Sequence, residues 1–151
     1  MTETVPAQTT ETADAVDFDG VEDYLSRSSD LVGNSDVKAF TDSFWLYHTP
    51  KSGTIIRNGT QQQMLVFDDG HITFQYKNAA GTNILSIDIS ANNTIPFNTW
   101  THVMYSVDLT NSSKRHLYIN DQSVSDSAFK IYVNDLIKFT QSNHSIGARI
   151  G

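Results

Sequence analysis

An all-β fold of two packed antiparallel sheets is what this sequence predicts, and three observations lead there. Short runs of four to eight residues rich in β-branched and aromatic side chains follow one another along the chain. Between them cluster Asn, Asp, Gly and Ser, the residues that tolerate positive φ or bond their own backbone in reversals. No window longer than about ten residues keeps a 3.6-residue apolar period among helix formers. Regular strand spacing with little helix is the pattern of a sandwich or jelly roll.

The elements follow in order. Residues 1–15, with Thr2, Thr4, Thr9, Thr10 and Thr12 among Glu, Gln and Ala, are polar and free of aromatics, and read as a flexible leader. From Val16 the texture becomes that of strands and turns, so residues 16–151 are the domain. One helical turn is expected near Ser28 to Leu31. Phe40 to Tyr47 is the strongest strand: Phe40, Phe44 and Leu46 share one face, Trp45 and Tyr47 the other. Apolar residues on both faces predict a central strand for it. Further strands are expected over Thr54–Arg57, Met64–Phe67, His71–Tyr76, Ile84–Ile89, Thr101–Val107 and His116–Ile119. Asp69-Gly70 and Asn120-Asp121 are tight-hairpin pairs; Ala80-Gly81, Asn92-Asn93 and Asn111-Ser112-Ser113 mark other reversals.

Length and charge narrow the function. A chain of 151 residues is one domain, with no room for separate catalytic and recognition domains. The absence of cysteine removes thiol nucleophiles, thiolate metal sites and disulfides. Of the net charge of −7, the acids Glu3, Glu11, Asp14, Asp17, Asp19, Glu22 and Asp23 all precede the first basic residue, Arg27. The body beyond is balanced, which argues against nucleic acid and against an anionic membrane surface as partners. Neither a membrane-spanning apolar run nor a secretory signal is read.

Catalytic chemistry is hard to place. Sugar-cleaving sandwiches use a pair of carboxylates, commonly Glu, and the only Glu residues are Glu3, Glu11 and Glu22. An Asp pair drawn from Asp68, Asp69, Asp88, Asp108, Asp121 or Asp126 is the alternative, although turns want most of these for backbone bonding. The five histidines are scattered without metal-ligand spacing, and no nucleophile elbow, phosphate loop or dinucleotide fingerprint occurs. The chain therefore reads as non-enzymatic and needs no cofactor, except that Asp68 with Asp69, or Asp121 with Asp126, offers oxygen ligands suited to a calcium ion. The ordinary role of those residues is as solvated hairpin positions.

Five segments, taken together, resemble one family. Val16 to Ser26 contains a Phe18-Asp19-Gly20 turn followed by Tyr24-Leu25; Phe40 to Tyr47 resembles a Phe-Thr-x-Ser-Phe-Trp strand; Trp100-Thr101-His102-Val103 and Leu117-Tyr118-Ile119-Asn120-Asp121 are similar to a Trp-Thr-His-Val step and a Leu-Tyr-Val-Asn-Gly hairpin. Ser145-Ile146-Gly147-Ala148 resembles a late Ile-Gly strand. The ordered set resembles concanavalin A-like, laminin-G-like jelly-roll domains, and the Thr-rich leader with many Asn and Ser residues looks most like those of bacteriophage and marine viral structural proteins. Such domains continue past the Ile-Gly strand with a segment returning beside the first strand, so a sandwich lacking its last strand, with an open edge, is expected.

The resemblance implies an attachment module on a virion or extracellular surface that binds carbohydrate or neighbouring subunits, a second copy of the chain among them. A purely structural capsid or tail component is the alternative, and a glycoside hydrolase the remote one. Tyr47, Tyr76, Tyr132 and Trp45 are the aromatics expected to stack on a sugar, while Trp45 and Trp100 also suit the core, and Phe18 and Tyr24 suit a role pinning the first strand.

Overall fold

The computed structural model describes residues 24–30, 33, 35–47, 53–58, 62–66, 71–89, 95–140 and 144–146. Eleven strands are found among them: β1 (Leu25–Arg27), β2 (Ala39–Leu46), β3 (Gly53–Asn58), β4 (Gln62–Val66), β5 (Ile72–Lys77), β6 (Asn83–Ile89), β7 (Thr101–Asp108), β8 (His116–Ile119), β9 (Gln122–Ser123), β10 (Phe129–Tyr132) and β11 (His144–Ile146). They form a seven-stranded sheet ordered β1-β11-β3-β4-β5-β6-β10 and a four-stranded sheet ordered β2-β7-β8-β9. Every ladder is antiparallel. The two-sheet antiparallel sandwich expected from the sequence is the fold.

Period-2 alternation builds the core. In β7 the residues Thr101, Val103, Tyr105 and Val107 are buried and their neighbours are not, because successive side chains leave a strand on opposite faces. They meet Ile72, Phe74 and Tyr76 of β5 and Leu85, Ile87 and Ile89 of β6, all buried. Phe40 and Phe44 of β2 pack against the same cluster. Phe74 lies 4.7 Å from Tyr105 between ring centroids, and Phe40 lies 6.0 Å from it.

This apolar layer holds one polar knot. Asp42, on the inward side of β2, accepts hydrogen bonds on the same oxygen from Tyr105 Oη at 2.6 Å and Tyr76 Oη at 2.8 Å, and the two hydroxyls also touch each other. Burial pushes both phenols well above the ordinary tyrosine range, and the Asp42 carboxylate pushes the same way. A phenol whose folded-state value is raised gives stability that is complete below the unfolded value, about 10, and is lost as pH rises past it, because the unfolded chain releases its protons first. The melting temperature is therefore expected to hold from neutrality to about pH 9 and to fall steeply above about pH 10. Circular dichroism melts, run beside tyrosinate absorbance, check this; phenols that ionise at their ordinary value in the folded protein would contradict it.

Turns behave as their residues dictate. Asn120 and Asp121 carry φ of 48° and 62°, the paired left-handed conformation of a two-residue hairpin, and they join β8 to β9. Gly81 has φ of 83° in a reversal closed by Asn78, whose carbonyl accepts from Gly81 N and whose side chain accepts from Thr82 N. The helical turn expected near Ser28 is a bend. Single 3-10 turns occur instead at Ser112–Lys114 and Asp126–Ala128, started by the side chains of Asn111 and Ser125, which accept from Ser113 N and Ser127 N. Asp69-Gly70, Asn92-Asn93 and Phe18 lie outside the described residues.

Two expectations are corrected. β2 is not central: it ends the four-stranded sheet, with β7 as its one neighbour among the described residues. Its outward aromatics mark a surface rather than a second buried layer. Tyr24 is exposed and does not pin the first strand. Beside that strand stands β11, in the register Leu25↔Ile146, with β3 beyond it; no strand flanks the other side of β1 among the described residues.

Candidate functional site

The outer face of the four-stranded sheet is set by the alternation that builds the core. With Phe40, Phe44 and Leu46 turned inward, β2 presents Thr41, Ser43 and Trp45 outward, followed by Tyr47, and all four are exposed. Register then aligns the rest. Trp45 stands opposite His102, Ser43 opposite Met104, and Thr41 opposite Ser106; on the next strand Met104 faces Tyr118 and Ser106 faces His116.

Aromatic rings gather at one end of this face. Trp45 is 64% exposed, Trp100 50% and Tyr47 47%, values unusual for side chains that normally bury large areas. They are held in pairs: the Trp45 ring lies 5.1 Å from the His102 ring at an interplanar angle of 33°, and Tyr47 lies 5.5 Å from Trp100. Cross-strand neighbours on one face are close enough for such contacts.

His102 anchors the platform from the neighbouring strand. Its Nε2 is 2.8 Å from Ser43 Oγ, its backbone N donates to Asn120 Oδ1 at 2.8 Å, and its carbonyl accepts from Asn120 N at 2.9 Å. The left-handed Asn120 turn thus fixes the strand that carries the ring beside Trp45. Contiguous exposed apolar surface rimmed by polar groups marks an interaction site, and this patch has that composition.

Among the described residues no ion pair lies on the platform. The first ion pair along the sheet is Asp108 with Lys114 Nζ at 3.6 Å, at the far end of β7. Hydrogen bonds from the Thr110 hydroxyl and backbone, aided by Lys114, hold the Asp108 carboxyl below its usual range.

Of the four aromatics expected to meet a sugar, the structure brings Trp45 and Tyr47 together and sets the others apart. Tyr76 is buried in the Asp42 knot. Tyr132 is half-buried, its hydroxyl donating to the Asp108 carbonyl at 2.7 Å, with the Arg115 guanidinium 5.3 Å from its ring centroid. Tyr76 has no ring face open to a ligand, and Tyr132 stands apart from the Trp45–Tyr47 end. Trp100, expected in or against the core, lies outward instead, because it continues the outward side of β7 beyond Thr101. His102, which the sequence suits to a strand surface rather than to a metal, stands on that face with Tyr118; its alternation against the apolar Val103 and Tyr105 is the signal that places it there.

The acidic candidates are dispersed. Asp121 sits in the hairpin turn, and Asp126 is exposed and paired with Arg115 at 3.5 Å. Asp68 and Asp69 lie outside the described residues. Among the described residues no three of His, Cys, Asp and Glu gather as a metal site.

Two histidine contacts resemble pieces of a hydrolytic triad without its logic. His71 Nε2 meets Asp88 Oδ1, and Thr73 Oγ1 lies 3.5 Å from the same nitrogen, whereas a triad base serves its nucleophile and its acid through different nitrogens. Ser43 and His102 form a pair on an open sheet face, with no carboxylate on its rungs to orient the imidazole.

Comparison with known proteins agrees with this architecture. The structure is similar to the botulinum neurotoxin serotype G binding domain, with TM-score 0.56 and 14% identity over 82% of this chain and 32% of that one. It is similar also to domains LG4-5 of the mouse laminin alpha1 chain, with TM-score 0.54 and 14% identity over 85% of this chain and 32% of that one. The chain thus spans about a third of each, and at such identity the likeness is one of fold. No curated protein matches the sequence. Residues 19–151 match a family profile, and the order of strands, the two-sheet core and that match agree: the chain belongs to the concanavalin A-like lectin/glucanases superfamily.

Proposed function

We propose that this chain is a non-enzymatic recognition module that binds carbohydrate on the outer face of its four-stranded sheet. One observation carries the reading: two tryptophans stand half or more exposed on a single sheet face, each held by a second ring. The C–H face of a pyranose is apolar and packs on such rings, while its hydroxyls meet polar side chains at the edge, here Ser43 and Asn120. The lack of any Glu beyond Glu22 supports a binding rather than a cleaving member of the superfamily. The Thr-rich leader and the Asn- and Ser-rich loops support a place on the outside of a virion or a cell, with neighbouring subunits as further partners.

A glycan array probed with the purified chain, once with calcium and once with chelator, tests this. Specific binding to a saccharide class is expected. Silence from a chain shown to be folded would overturn the carbohydrate reading and favour assembly, since exposed Trp and Tyr also suit a protein interface; loss of signal with chelator would bring the Asp-bearing loops into the site.

A further inference from the structure

We infer that the ligand of this face is an uncharged, unbranched polysaccharide, gripped along its length and held without calcium; the inference rests on the carbohydrate reading above and narrows it.

Charge is the first argument. On the rungs from Trp45–His102 to Ser43, Met104 and Tyr118, no Lys, Arg, Asp or Glu stands among the described residues; the acid nearest in the chain, Asp121, lies in the turn beside Asn120. A sulfated or uronic glycan would have to shed water from its anions here without a cation to meet them, which is costly. Sites for such groups use Arg or Lys. A neutral glycan carries no such penalty. Asp121 alone, with no cluster of metal-ligating side chains around it among the described residues, falls short of the roughly six to eight oxygen ligands that calcium takes.

Shape is the second. Trp45 and Tyr47 are successive outward residues of one extended segment, so their ring pairs stand about 7 Å apart along it. That exceeds a single sugar ring, and a monosaccharide engages one pair only, whereas an extended chain lies across both. Beyond Trp45 the outward positions of the strand are Ser43 and Thr41, small and exposed. The track continues as a strip of hydroxyls rather than closing around a chain end, so it suits internal stretches. Side branches on the ring-facing side would lift the backbone off both platforms.

Affinity electrophoresis of the full chain tests this, in gels cast with a linear β-glucan, a linear mannan or a linear galactan and, separately, with alginate or heparin. Retardation by at least one neutral polymer is expected, unchanged by EDTA. It should weaken by more than about tenfold in Trp45→Ala and far less in Trp45→Tyr. A hexasaccharide of the retarding polymer should compete where its monosaccharide does not. Retention by alginate or heparin alone, loss of binding in EDTA, or equal competition by the monosaccharide would overturn the inference. If Trp45-dependent binding goes to a charged or branched glycan, this inference falls and the carbohydrate reading stands. If the folded chain binds no saccharide, both fall.

Discussion

Replacing Tyr105 by Ala is expected to cost about 3–5 kcal/mol, the range for deleting a large buried aromatic side chain, against a total stability of about 5–15 kcal/mol for a domain. Tyr105 is among the largest fully buried side chains and touches Phe40 and Phe74. Its hydroxyl is one of two donors to Asp42. The Ala variant therefore opens a cavity where the two sheets meet and also withdraws a hydrogen bond from a carboxylate facing the core. Tyr105→Phe separates these effects, keeping the ring and removing only the hydroxyl, at about 1–3 kcal/mol. Urea unfolding at neutral pH, read by circular dichroism, gives both values. Equal losses would mean that the hydroxyl network, not the packing, holds the sheets together; a Phe variant as stable as the parent would mean that Asp42 gains nothing from its second donor.

The second large effect is on binding. Removing both tryptophans, as Trp45→Ala with Trp100→Ala, is expected to lower affinity for the saccharide found on the array by about a hundredfold or more, since truncating an anchoring Trp commonly costs 2 kcal/mol or more. Stability should barely change. Exposed residues contribute within about half a kcal/mol each, so the melting temperature should stay within about 4 °C of the parent. Tyr132→Phe serves as the contrasting variant: it deletes a hydroxyl bonded to the Asp108 carbonyl, costs about 1 kcal/mol and leaves affinity untouched. Isothermal titration beside thermal melts separates the three. A double variant that binds normally would remove the face from the account.

Much of the fold was legible in the sequence, for a reason specific to half-buried sheets. Where one face meets the core and the other meets solvent, alternation records both the strand and its orientation, as in Thr101 to Asp108, whose burial alternates without a break. Ile84 to Ile89 was legible for a different reason, as a short run of β-branched residues between turn signals. The short β9 and the Phe129–Tyr132 strand carry too few residues to show a period, and the 3-10 turns depend on single Asn and Ser caps.

The candidate site was half legible. Trp45 and Tyr47 could be assigned to one strand face, but whether that face met solvent or a second layer is decided by how the sheets pack, which no local pattern contains. Trp45 and Tyr47 lie on the side of β2 turned away from the seven-stranded sheet and are exposed, whereas Tyr76, whose sequence neighbourhood looks no different, points between the two sheets. Trp100 became part of the site only through its pairing with Tyr47, a contact between segments far apart in the chain. Asp42 was overlooked as an inward acid because two phenols, one from each sheet, are needed to make that position tolerable.

One titration reaches the central claim directly. The chain has two tryptophans, and both are exposed at the proposed face, so its fluorescence, excited selectively at tryptophan, reports that surface. Adding the saccharide identified on the array should shift the emission to the blue and protect both indoles from acrylamide, with a midpoint equal to the calorimetric dissociation constant. Saturable binding by calorimetry that leaves the emission and its quenching unchanged would place the ligand elsewhere and contradict the account.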